Sequence, residues 1–153
     1  MLARWTLALA VGAACLASAG RAEAGMSAEL ASGAYEVDCE PIGKVAPGFV
    51  DACKAGRANG ESQPYRFIVD AAGQWSVAPP LSGGTNGSQA LKAIRLEGLE
   101  CLQAQLVVVC EVPRNTEVFK DASSESPGVR SRSGLVMLAI HVGAIDLKKV
   151  ETQ

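Results

Sequence analysis

The sequence predicts an all-β or β-dominated domain, a small barrel or sandwich with short helical turns and two disulfides. Three observations carry this: short apolar runs that alternate with polar residues, turn-forming Gly, Pro and Asn between them, and an even set of cysteines behind an export-type leader.

The first residues read MLARWTLALAVGAACLASAGRAEAG, with an early cation at Arg4, an apolar stretch from Trp5 to about Ala19, and small residues at Ala17, Ala19, Ala22 and Ala24. A positive start, a short apolar core and an A-x-A pattern make a secretory signal peptide. Cleavage fits after Ala19 or after Ala24, and the second is preferred, giving a leader of residues 1–24 and a single domain over 25–153. An uncleaved anchor fits less well, because the apolar core of about 15 residues falls short of the roughly 20 that span a bilayer. Cys15 raises a minority reading as a lipid-anchored envelope protein. Bacterial lipoprotein signals usually carry Leu three residues before the cysteine, and Gly12 stands there.

The whole chain has a net charge of −2, and processing moves it to about −3 by removing Arg4, Arg21 and Glu23. That balance offers no footprint for nucleic acid, whose binding depends on clustered Lys and Arg.

Four cysteines remain after processing: Cys39, Cys53, Cys101 and Cys110. In an exported chain they read as a disulfide framework. Three connectivities are open, and Cys39–Cys53 with Cys101–Cys110 ranks first because each pair is close in sequence. Neither spacing resembles the paired C-x-x-C of a thiolate zinc site or a thioredoxin-type redox centre. A hairpin centred between Gln105 and Leu106 sets Cys101 opposite Cys110, although AQLV lacks the residues that tight turns prefer.

The elements follow in order. SAELASG, residues 27–33, looks helical but short, a frayed lead-in. AYEVDCE alternates Tyr35, Val37 and Cys39 against Glu36, Asp38 and Glu40, a half-buried strand closed by Pro41. A long Gly- and Pro-rich loop follows, with one helical turn at FVDACKAG. Tyr65 to Asp70 and Gln74 to Ala78 form the clearest hairpin, turning at Gly73. LSGGTNGSQA, residues 81–90, is a flexible connector that contains an Asn86 sequon and no phosphate-binding motif.

Strands are expected over Ala93 to Leu96, Leu99 to Gln103 and Leu106 to Val112, with a short one near Glu117 to Lys120. A second polar loop runs from Asp121 to Ser133. GLVMLAIHVGAIDLKKV, too short to span a membrane, is read as a central core strand, with a buried helix as the alternative that periodicity leaves open.

Chemistry has little to work with. The sequence contains no nucleophile elbow, no calcium-loop pattern and a single histidine, His141, set between Ile140 and Val142 as a core or strand-face residue. The carboxylate pairs Asp38/Glu40 and Glu97/Glu100 read as wet strand faces. No metal or cofactor is implied.

The expectation is therefore a non-enzymatic, exported binding module in the bacterial periplasm or envelope, engaging a protein partner in the manner of an inhibitor through two polar loops, residues 79–90 and 121–133. Arg130 and Arg132 are the residues to test. A carrier of an apolar ligand near Trp75 is the alternative, and a hydrolase using His141 the third.

Overall fold

In a computed structural model, residues 26–84, 87–120 and 128–151 are described. The leader over 1–24, Cys15, Asn86 and the stretch 121–127 of the second polar loop lie outside them.

The described chain forms α1 (Ala28–Ala31), β1 (Ala34–Val37), α2 (Phe49–Ala58), β2 (Tyr65–Val69), β3 (Trp75–Ala78), β4 (Gln89–Leu96), β5 (Leu99–Ala104), β6 (Val107–Glu111), β7 (Glu117–Val118), β8 (Val129–Arg130), β9 (Leu135–Ala139) and β10 (Gly143–Val150). Eight of the strands close into an antiparallel barrel in the order β1-β10-β9-β6-β5-β4-β3-β2. With the small β7–β8 sheet set aside, each strand pairs with its neighbours in sequence, and β10 returns to β1. Closure removes the free edges that an open sheet of these short strands would expose.

Period-two alternation builds the wall. Phe67, Val77, Leu102, Val109, Ile145 and Leu147 point inward and are at most 1% exposed. Met26 and Leu30 join this interior cluster at the end where β1 begins, and Phe49, Leu81 and Val142 pack against it from the connections at the other end. An eight-stranded barrel is just wide enough for side chains to fill, and these fill it. The lead-in expected to fray is thus a four-residue helix that sends Leu30 into the barrel mouth.

A second apolar cluster lies on the outside of the wall. Cys101, Cys110, Val136 and Ala144 face outward there and are covered by Val112 and Val129, with Ile42, Val118 and Phe119 against them. Both disulfides form as ranked, Cys39–Cys53 and Cys101–Cys110. The β5–β6 register pairs Ala104 with Val107 and Cys101 with Cys110, so the turn is centred between Gln105 and Leu106. The missing glycine is met by Gln105 itself, which takes φ 45°. The cysteine Cα atoms stand 4.0 Å apart, the close spacing of a non-hydrogen-bonded pair.

Two further expectations change. The single helical turn around Cys53 is a ten-residue helix, α2. The apolar run 134–150 is two strands rather than one core strand, since the chain reverses through Ile140, His141 and Val142. His141 adopts φ 66° in that turn and Gly143 φ 116°. A Cβ on Gly143 would collide with the Lys44 carbonyl, so the tight approach of the 43–46 loop requires glycine there. Hydropathy alone does not register such a reversal, because both strands are buried on the wall's inner face and partly on its outer face.

Candidate functional site

Sequence reasoning singled out four residues beyond the cysteines, and the fold separates them. Trp75 opens β3 and is 8% exposed, part of the interior cluster with Phe67, Val77 and Leu91. An apolar ligand beside it would have to displace these side chains. His141, expected in a strand or core, is exposed at the tip of the β9–β10 turn because the strand ends at Ala139. Among the described residues its ring makes no side-chain hydrogen bond or ion pair, so nothing there orients it as a general base.

Arg130 and Arg132 share one segment but have different surroundings. Arg130 is exposed in β8, opposite Glu117 on β7. Arg132 is bound to its own fold: its guanidinium donates to Glu40 at 2.8 Å and Asp38 at 3.1 Å, and its Nε lies 3.8 Å from Asp146. The Glu40 hydrogen bond, followed by the charges of Asp38, Glu40 and Asp146, raises its pKa further above the ordinary guanidinium value. Asp38 and Glu40, read from sequence as a wet strand face, are the anions that hold it.

Beneath Arg132 lies Asp146, a carboxylate only 1% exposed. It accepts hydrogen bonds from the Ser131 hydroxyl at 2.5 Å, the Ser133 hydroxyl at 2.8 Å, and the backbone N–H groups of Arg132 at 2.9 Å and Ser133 at 3.3 Å. Ser131 also accepts from Gly134 N–H, and Ser133 from Leu135 N–H. Buried carboxylates persist where donors surround them in this way. The SRSG segment is thereby held against the wall, a structural role for half of the predicted loop site.

The largest exposed apolar side chains sit elsewhere. Leu106 in the β5–β6 turn is 58% exposed and Ile140 in the β9–β10 turn 55% exposed. The two tips are joined, with Ile140 N–H donating to the Leu106 carbonyl at 3.1 Å. Together with Val108, Leu138 and Ala144 they line a shallow groove of about 390 Å³, whose polar lining comes from the uncharged Gln103 and Gln105. Polar residues stand at its margin: Lys92 is the cross-strand neighbour of Gln103, and His141 follows Ile140 in the turn. Sequence reading set Leu106 at the centre of a hairpin and Ile140 inside a strand; the β9–β10 turn is what brings Ile140 outward beside it.

Among the described residues, no group of three or more His, Cys, Asp or Glu side chains is arranged to hold a metal ion, and no helix is long and apolar enough to cross a membrane. No protein-family model, curated protein or solved structure matches the chain.

Proposed function

We propose that this chain is an exported, non-enzymatic module that binds a protein partner through the outside of its barrel, in the manner of an inhibitor or adaptor of the periplasm or envelope. The observation that carries the reading is the contrast between a barrel interior packed with side chains and two joined hairpin tips that leave Leu106 and Ile140 in solvent. Exposed apolar anchors ringed by polar groups are the usual core of a protein contact. The uncharged groove, with Lys92 beside Gln103 at its margin, suits a partner that presents an apolar side chain next to a carboxylate. Two disulfides in so short a chain support an oxidising compartment.

The test is quantitative affinity capture from the envelope fraction with wild type, Leu106→Asp/Ile140→Asp and Arg130→Ala/Arg132→Ala proteins. A protein retained stoichiometrically by the wild type and the arginine variant, and lost with the tip variant, is the expected result. Loss with the arginine variant alone would move the contact to the 128–134 segment. Wild-type binding only to anionic vesicles, or to a second copy of itself, would replace the protein partner altogether.

A further inference from the structure

At the opposite end of the barrel from the apolar tips, α1, β1, the end of β6 and the SRSG segment enclose a cleft of about 410 Å³. Tyr35 lines it and is only 6% exposed, yet its hydroxyl makes no hydrogen bond to any described residue. Its ring packs in the interior cluster while the hydroxyl opens to the cleft, where a ligand can reach it.

The groups around that hydroxyl are charged and balanced in sign. Burial, then the charges of Glu29 and Glu111, raise the Tyr35 pKa, and Arg114 lowers it, which places all three groups within electrostatic reach of the phenol. Lys149 is the direct cross-strand partner of Tyr35, on the same face of the wall. Part of this set is already used. Glu111 accepts from Ser27 N–H and from the Ser27 hydroxyl, each at 3.0 Å, and Arg114 Nε donates to the Ser133 carbonyl at 2.9 Å. The terminal nitrogens of Arg114, the Lys149 ammonium, the Glu29 carboxylate and the Tyr35 hydroxyl have no side-chain partner among the described residues.

We propose that this cleft binds a small zwitterion of the amino-acid or short-peptide class, its carboxylate meeting Arg114, Lys149 and the Tyr35 hydroxyl, and its ammonium meeting Glu29 and Glu111. The balance of two cations against two anions selects this class. A simple anion would face both glutamates, and a simple cation both basic groups, each a like-charge cost. A cleft of this volume lies within the ordinary range of small-ligand sites, and a barrel mouth is one of their usual positions. The cleft lies at the other end of the barrel from the tips and is independent of them.

Calorimetric titration of the exported protein with the pooled protein amino acids and, separately, with trialanine tests the proposal and distinguishes free amino acids from peptides. Binding of either zwitterion is expected, with N-acetyl-trialanine and trialanine amide each weaker by about tenfold or more. Tyr35→Phe keeps the ring in its packing and should weaken binding about fivefold with an unchanged melting temperature. Leu106→Asp/Ile140→Asp should bind the zwitterion as the wild type does, whatever becomes of the protein partner. Absence of binding by both probes, equal binding of the blocked peptides, or wild-type affinity in Tyr35→Phe would each overturn the assignment.

Discussion

Two segments lie against the outside of the barrel, and they are attached by different means. The described part of 112–134 lays Val112, Val118, Phe119 and Val129 over an outward apolar cluster and anchors itself on the buried Asp146. Helix α2 buries none of its residues. Its links are the Cys39–Cys53 bond, a hydrogen bond from Arg57 to the Val37 carbonyl, a 3.5 Å ion pair to Glu36, and Phe49 at its first turn against the interior cluster. One segment is held by desolvation, the other largely by a covalent bond. Ring size does not separate the two disulfides: separations of 14 and 9 residues differ in closure entropy by only about 0.4 kcal/mol. What each bond holds is the difference. Cys101–Cys110 ties two strands that their backbone already pairs, whereas Cys39–Cys53 ties a helix that little else retains.

The largest effect is expected at Asp146. Asp146→Ala leaves two hydroxyls and two N–H groups without their shared acceptor and removes one of the three carboxylates around Arg132, and should lower unfolding free energy by about 3–5 kcal/mol in urea titrations. A loss below about 1 kcal/mol would mean that apolar contact alone keeps the 128–134 segment in place. Next is the double variant Cys101→Ala/Cys110→Ala. Both residues are fully buried, so about 3 kcal/mol should be lost globally, in one cooperative melting transition.

Cys39→Ala/Cys53→Ala sharpens the contrast. A smaller global loss of about 2 kcal/mol should accompany selective collapse of amide-exchange protection over 49–58, with the barrel strands still protected. If the helix stays protected, the covalent account of its attachment fails. Arg57→Gln should cost about 1 kcal/mol in the native disulfide background and show in the same helix amides.

The smallest effect is a local one in the β7–β8 hairpin. The Lys120 hydrogen bond and charge, with Gly128 N–H and Arg130, hold the Glu117 carboxyl below its usual range. A carboxylate depressed on folding contributes stability that is present above its unfolded pKa and fades as pH falls through the lower folded value. NMR titration of Glu117 should show that depressed midpoint, and Lys120→Gln should move it back toward the ordinary one.

Much of the wall was legible from local pattern. Alternation set the inward faces of β2 and β3, and the spacing of Cys101 and Cys110 about Gln105 located a hairpin whose turn residues argued against it. That case is instructive: strand pairing and a disulfide on both sides outweighed the cost of φ 45° at a non-glycine residue. The β9–β10 reversal was not legible, because Leu135 to Val150 is apolar on both sides of the turn and His141 is not a turn-forming signal. The exposure of Ile140 was missed for the same reason, since it depends on a turn inside an apolar run, whereas Leu106 already stood at a hairpin centre.

By itself the sequence determined the β-dominated class, the four-cysteine framework and most strand positions, since period-two alternation, turn chemistry and cysteine spacing are short-range properties of the chain. Only the tertiary structure decided that the sheet closes, that its interior is packed with side chains, that Arg132 spends its charge on Asp38, Glu40 and Asp146, and that Tyr35 meets Glu111, Arg114 and Lys149 in one cleft. Asp38 and Glu40 lie 94 and 92 residues from Arg132 in sequence, and Tyr35 comes from β1, so the closing of β10 onto β1 brings these groups to their partners.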